Sequence, residues 1–436
     1  MINYQEAIRK ITDVAASRRA KTEMVAIEDC VGRILAREVL GDEPVPSFDN
    51  SAMDGFVVNA AATVGASEAH PLRLHVHKTI VAGDTPGGEA ASGAQAVAPA
   101  APLIGAPNIA YEIMTGAPIP AGPFDAVVKV EDVQVLGGPE AMEILISAPV
   151  VEGNNIRRAG EDFMQGQKVA GVGTRLGAQH VMACAALGIA NVEVYRRPRI
   201  AVISTGRELV HHSVSRLDPG MIRNSTGPFL MATLQEMGVE AKFYGVVPDD
   251  ESVWAGLIDS VMADQPDIVL TTGAVSMGKH DFVKSALEKM GAEIVFHKVA
   301  IRPGKPLLFA KFAHVPTVVF GVPGNPISTA VGLRFFISPY LRARFGLPAE
   351  QPQRARLVNG VAKKPEDLKC FFKGSLRATE NGLEATLFKG QASFMISPFL
   401  VSNSWLVFPE ALAKIEVGQT VEVFSLNHEW QGGEWL

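Results

Sequence analysis

Residues 267–281 read DIVLTTGAVSMGKHD: an apolar run, Ile268, Val269 and Leu270, that passes directly into small and hydroxyl-bearing residues and then towards a helix. The run does not alternate apolar with polar, the pattern expected of a strand covered on both faces by helices. Thr271, Thr272, Gly273, Ala274, Val275, Ser276, Met277 and Gly278 then let a ligand approach the backbone and offer three hydroxyls. Asp281 stands near the start of a helix predicted to reach Met290, where a carboxylate is favoured by the helix dipole or can hold a metal. Ligands of open α/β sheets sit at the carboxyl ends of the strands, which makes this loop the first site candidate.

Outward from that loop, residues 199–347 alternate strand and helix patterns. Ile200–Ser204, Ala241–Val247, Ile294–Val299 and Thr317–Phe320 read as strands, with helices from about Pro228, Glu251 and Ile327. The pattern predicts a doubly wound α/β domain with a mostly parallel sheet. Upstream, Tyr4 to about Arg19 carries Ala7, Ile8, Ile11, Val14 and Ala15 on one helical stripe. Residues 57–146 are short apolar runs broken by Gly, Pro and Ala, a β-rich signature. A helical stripe covers Ala178–Leu187, and beyond Gln351 short strands such as Trp405–Phe408 and Thr420–Phe424 predict a small β-barrel or sandwich.

At 436 residues the chain is too long for one ordinary domain. A hydrophobic share of 47% with 20% charged residues is that of a soluble protein, and a net charge of -6 gives no electrostatic case for nucleic acid. Cys30, Cys184 and Cys370 are odd in number and far apart, which argues against a disulfide framework and for a reducing cytoplasm. The N-terminus lacks the apolar core of a signal peptide, and no stretch approaches the ~20 apolar residues needed to span a bilayer.

Four loops of the α/β segment follow strands and share a polar character. Ser204, Thr205 and Gly206 follow the first, with Glu208 beyond; Asp249 and Asp250 follow the second, where they read equally as caps of the next helix. The opening loop follows the third. GVPGNP (321–326) follows the last, where Pro323, Asn325 and Pro326 make a rigid turn whose helix presents its amides. Lys298, Arg302 and Lys305 lie within eight residues, stiffened by Pro303 and Pro306, as cations that meet an anion. Basic residues, hydroxyl loops and carboxylates together imply a phosphorylated ligand with a divalent cation. No Walker A pattern and no nucleophile elbow occurs.

Two further loops carry candidate groups. SFDNSAMDGF (47–56) holds Asp49 and Asp54, and reads either as an Asx-turn loop or as part of a site. Thr115, Glu131 and Asp132 fall near strand ends. NIRRAGED (155–162) reads on local sequence as a solvated ion network; the functional alternative is an anion contact by Arg157 beside a metal-attracting Asp162.

Eight stretches, SFDNSAMDGF, TGAPIP, NIRRAGED, ISTGRELV, GVVPDD, TTGAVSMGKHD, VAIRPGKP and GVPGNP, occur in the order seen in the molybdopterin molybdenumtransferases, the MoeA and gephyrin E-domain family, which the whole chain resembles. The resemblance implies an N-terminal helical linker domain (1–56 and 133–198), an inserted β-rich domain (57–132), a molybdopterin-binding α/β domain (199–347) and a C-terminal β domain (348–436). It implies a reaction in which adenylylated molybdopterin and molybdate give molybdenum cofactor and AMP, with Mg²⁺. It further implies a cytoplasmic homodimer whose site is shared between subunits, and a molybdopterin adenylyltransferase as the upstream donor.

Carried over by motif, Asp54, Asp162, Glu208, Asp249 and Asp281 are the catalytic candidates, with Glu208, Asp249 and Asp281 as metal ligands. Thr115, Arg157, Ser204, Thr205, Thr272, Gly273, Ser276, Lys298, Arg302, Pro323, Asn325, Pro326 and Ser393 are the substrate-binding candidates, Asp54 and Asp162 acting on the other subunit's site. The chain departs from the family pattern at Arg207 (usually an acid), Ala274 (usually glycine), Lys373 (commonly arginine) and Phe56 (usually tyrosine), while Asn224 stands where Asp or Asn is typical. Ala274 is expected to crowd the ligand or to hold φ below zero. Arg207 and Ala274 keep open a second reading, a molybdopterin-binding paralogue or scaffold with weak or no insertion activity.

Overall fold

The computed structural model describes residues 1–85, 108–138, 141–275, 282–362, 367–410, 412 and 414–426. The chain divides into two compact units: one of Met1–Arg37, Gly171–Val181 and Asn191–Leu436, the other of Glu38–Ala170 and Met182–Ala190.

The first unit is built on a six-stranded sheet in the order Glu240–Val247, Arg199–Thr205, Ile268–Thr272, Val318–Val322, Leu308–Phe312, Ala292–His297. The first four run parallel; Leu308–Phe312 is antiparallel to both of its neighbours. No strand is predicted from the sequence over Leu308–Phe312.

The unbroken apolar runs have a simple cause. Ile200, Val202, Ile268, Leu270, Val318 and Phe320 face a core completed by Leu230 and Leu234 of the helix Thr226–Glu236 and by Ile327 and Val331 of the helix Pro326–Gly332. The alternate residues Ala201, Ile203, Val269 and Val319 face a second core, with Trp254, Ile258 and Val261 of Glu251–Ala263 and Val283, Ala286 and Leu287 of Val283–Lys289. Both parities of each strand are buried, so neither can be polar. The helix begun at Pro326 continues through a π-turn, Leu333–Ile337, into Ser338–Arg344.

The N-terminal helix spans Tyr4–Ala16, capped by the Asn3 side chain on the Glu6 amide at 2.8 Å, and ends short of the expected Arg19. Its Ala7, Ile11 and Ala15 are fully buried in the first core. At the other end of the chain, Lys369–Thr379, Gly382–Leu387, Gln353–Leu357, Thr420–Ser425 and Ser404–Phe408 pair in turn, and the last pairs back onto the first. The expected C-terminal barrel is therefore closed, with five strands around Leu357, Ala385, Leu406 and Val423.

The second unit holds a six-stranded sheet in the order Ala126–Lys129, Gly55–Val58, Ile109–Ile113, Leu72–Ile80, Glu143–Ile146, Gln134–Leu136. Phe56, Val58, Leu74, Val76, Val128 and Ile144 fill its core. Phe56 is 1% exposed, so a hydroxyl on that ring would need a buried partner.

Candidate functional site

In the first unit, Thr205 pairs with Val247, Ser204 with Thr272, and Thr272 with Val322. The four polar loops therefore leave the sheet at one edge. After Arg199–Thr205 the chain goes to the outer neighbour Glu240–Val247 and then returns on the other side as Ile268–Thr272. Connections diverge at such a point and leave a crevice, the usual ligand position in a doubly wound sheet.

Backbone geometry packs this edge tightly. Gly273 has φ +85°, and a Cβ there would lie 2.5 Å from the Thr205 carbonyl oxygen, so only glycine fits. Thr205 Oγ1 donates to the Thr272 carbonyl at 2.8 Å, and the Gly273 amide donates to Val322 O at 3.0 Å. Ala274 has φ +50°, which overturns the expectation of a negative φ: the chain keeps the left-handed turn and carries a strain of roughly 1–2 kcal/mol. The Val275 carbonyl is met by His297 Nε2 at 2.8 Å, a tether that no local pattern predicts.

Ser204 is fully buried and accepts from Asn224 Nδ2 at 3.2 Å. Asn224 Oδ1 in turn accepts from the Gly227 amide at 3.0 Å and from Thr226 Oγ1 at 3.2 Å, joining the first loop to the helix Thr226–Glu236. An aspartate there would lack the N–H that Ser204 receives. The Thr271 and Thr272 hydroxyls are buried without a hydrogen-bond partner among the described residues.

The two aspartates of the second loop separate in role. Asp250 caps the helix Glu251–Ala263, accepting from Ser252 N at 2.8 Å and Val253 N at 3.1 Å. The Ser252 hydroxyl and these amides hold its carboxyl below the usual range. Asp249 is half-buried and has no side-chain partner among the described residues; nor does half-buried Glu208. Arg207 points to solvent. Ser276 and Asp281 lie outside the described residues.

Lys298 adopts φ +76°, with its amide on Leu307 O at 2.9 Å and its carbonyl accepting from Ile2 N at 3.2 Å. Arg302 and Lys305 are exposed, and none of the three cations forms an ion pair among the described residues. Pro323 is buried and its carbonyl accepts from Thr329 Oγ1 at 2.7 Å, while Pro326 takes the first helical turn after Asn325. One amide expected to be presented is already used: Ile327 N donates to Ser393 O at 2.9 Å, which brings Ser393 to this turn. Beside Ser393, Lys373 is fully buried and donates to the carbonyls of Met395 at 3.0 Å and Ala392 at 3.3 Å. Burial pushes its amine down to about 8.

In the second unit, Asp54 accepts from the Thr115 amide at 2.7 Å and from Thr115 Oγ1 at 2.8 Å, which joins two predicted residues and lowers the carboxyl's pKa. The backbone of Arg157 pairs with Asn50 and that of Ile156 with Ser51, so NIRRAGED and SFDNSAMDGF form one antiparallel clip. The two arginines of NIRRAGED differ in their contacts. Arg158 Nη1 meets Asp49 at 2.6 Å and its amide donates to Glu161 at 2.9 Å, a local network. Arg157 and Asp162 are exposed and have no side-chain partner among the described residues. Among the described residues no three His, Cys, Asp or Glu side chains gather as a metal cage.

A doubly wound sheet with four polar loops at its switch point defines an α/β enzyme of the small-ligand-binding class. Family models for the MoeA N-terminal region (domain I and II), a "Probable molybdopterin binding domain" and the MoeA C-terminal region (domain IV) match residues 2–188, 201–343 and 354–426. The molybdopterin molybdenumtransferase of Synechococcus elongatus is 38% identical over 98% of this chain and 100% of its own length; that of Bacillus subtilis is 32% identical over 100% and 96%. Two crystal structures of the molybdopterin biosynthesis MoeA protein of Pyrococcus horikoshii superpose with TM-scores of 0.78 and 0.75 at 31% and 28% identity, each covering 97% of this chain and 99% of theirs. The chain belongs to the molybdopterin molybdenumtransferase family and is, like its relatives, a transferase of molybdenum cofactor biosynthesis.

Proposed function

We propose that this chain inserts molybdate into adenylylated molybdopterin and releases AMP, with Mg²⁺. The observation that carries the reading is the convergence of four polar loops at the switch point of one sheet, in a chain related over its full length to molybdopterin molybdenumtransferases. Glu208 and Asp249, on two of those loops, are hard oxygen donors with no side-chain partner among the described residues. Mg²⁺ takes one or two carboxylates and completes its shell with water and substrate phosphates, so a pair without a full cage fits it. Asp281 would add a third. When bound, the ion offsets negative charge on the departing phosphate.

The remaining roles belong to the chain's own groups. Lys298 and Arg302 hold the phosphates or molybdate. Ser204, Thr205, Gly273 and Ser276 set the approach of the ligand to the backbone, and the orphaned Thr272 hydroxyl finds an acceptor there. Pro323, Asn325, Pro326 and Ser393 shape the far wall. Two copies associate, and Asp54, Thr115, Arg157 and Asp162 of one complete the site of the other. A cytoplasmic molybdopterin adenylyltransferase supplies the substrate. Catalysis is then mainly positioning and charge compensation.

The test supplies adenylylated molybdopterin, Mg²⁺ and molybdate and follows AMP and cofactor. Molybdate-dependent AMP release is the expected result. Tight binding without turnover would replace it with the scaffold reading that Arg207 and Ala274 keep open.

A further inference from the structure

Positive charge accumulates at the opposite, amino end of the same sheet. Asp267, which precedes the strand Ile268–Thr272, is 4% exposed and accepts from Arg344 Nη2 at 2.6 Å, Arg196 Nη2 at 3.1 Å and the Arg199 amide at 2.7 Å. Its capacity is largely used. Arg344 is 5% exposed, yet its Nε and Nη1 are buried with no well-formed hydrogen bond among the described residues. One turn earlier on the same helix face, the fully buried Tyr340 hydroxyl lies against the Arg344 guanidinium and completes no well-formed hydrogen bond among the described residues.

Arg18 is fixed nearby. Its guanidinium donates to the carbonyls of Phe312 at 2.6 Å, Pro316 at 2.7 Å and Thr317 at 3.0 Å. Burial lowers its pKa, the Tyr340 hydroxyl acts the other way, and the like charge of Arg344 lowers it further. Arg196 and Arg344 thus share one carboxylate, and the Arg18 charge is felt beside Arg344 with carbonyls alone to meet it. A water molecule would satisfy the open donors and leave the charge excess; an anion answers both.

We propose that a small inorganic anion of the chloride class binds against the Arg344 guanidinium, accepting hydrogen bonds from it and from the Tyr340 hydroxyl, as a structural ion at the amino end of the sheet. Nothing in this inference depends on the reaction at the other edge. The experiment is thermal unfolding of the full chain at constant ionic strength, with sodium gluconate replaced stepwise by sodium chloride. Tm is expected to rise saturably, by about 2 °C or more. Tyr340→Phe, which opens no cavity, is expected to lose at least half of that rise, and Arg344→Lys most of it. Crystals grown in bromide are expected to show an anomalous peak within hydrogen-bonding distance of Arg344. A Tm indifferent to the exchange means that water meets these donors, and a rise undiminished in Tyr340→Phe places the anion elsewhere; either result overturns the proposal.

Discussion

The strand Ile268–Thr272 has charged groups at both ends, and the two ends treat them in opposite ways. At the amino end Asp267 is buried and receives three hydrogen bonds from Arg196, Arg199 and Arg344. At the carboxyl end Glu208, Asp249, Lys298 and Arg302 have no side-chain partner among the described residues, and the backbone is held at positive φ at Gly273, Ala274 and Lys298. Charge that holds the fold is paired and dry. Under the proposed function, the charge at the carboxyl end is left for the ligand, unpaired among the described residues, on a backbone under strain that packing elsewhere supports.

The largest effect that can break this contrast is at Asp267. Asp267→Asn removes the carboxylate that Arg344 and Arg196 share and is expected to cost about 3–5 kcal/mol in urea unfolding. Turnover per folded molecule stays unchanged. A loss below about 1 kcal/mol would mean that the amino-end network is no more structural than a surface pair.

Asp249→Asn tests the opposite end. Turnover is expected to fall on the order of 10²–10³-fold, with Tm within about 1 °C of the parent, because the carboxylate supports no packing. A parallel fall in Tm would move Asp249 to the structural side.

Lys373 stands between the two cases: it is buried as at the amino end but has carbonyls in place of a counter-charge. Its amine falls from the ordinary 10.5 to about 8 through burial. An unfolded lysine keeps its proton to about 10.5. Between these values the unfolded chain binds more protons, so stability rises with pH; below about 8 both states are charged and the penalty is constant. Over that window the wild type is expected to gain up to ~3 kcal/mol relative to Lys373→Met. Urea unfolding of both proteins at pH 7 and 10 measures it, and a difference that does not change with pH would show that the amine is solvated.

How far the sequence discloses this arrangement follows from the range of the interactions. The parallel strands announce themselves because each is a local apolar run ending in its own polar turn, and adjacency in a parallel sheet aligns those turns without further information. Partner choice is not local. Arg158 meets Asp49 across 109 positions, and nothing in NIRRAGED says that the second arginine takes that role while Arg157 has no side-chain partner among the described residues. The strand Leu308–Phe312 is equally hidden, because its antiparallel pairing with Val318–Val322 depends on a neighbour outside its own window. The φ of Ala274 is set by the turn around it, in which the Gly273 amide donates to Val322 O and the Val275 carbonyl meets His297.

The smallest prediction is the sharpest, since it separates adjacent residues of one type. Asp250 accepts from Ser252 Oγ at 2.6 Å and from the amides of Ser252 and Val253, the first-turn donors that a helix cannot satisfy internally. Asp250→Ala is expected to lower stability modestly, as loss of a helix cap does, and to leave turnover within about twofold of the parent. Because hydrogen bonds from Ser252 and Val253 lower the Asp250 pKa, this contribution is present at neutral pH and is lost as the pH falls through the folded-state value. The two substitutions, Asp249→Asn and Asp250→Ala, should therefore move opposite observables. If Asp250→Ala removes turnover at unchanged stability, the loop uses both carboxylates on the ligand, and the division between fold-holding and ligand-holding charge does not extend to single residues.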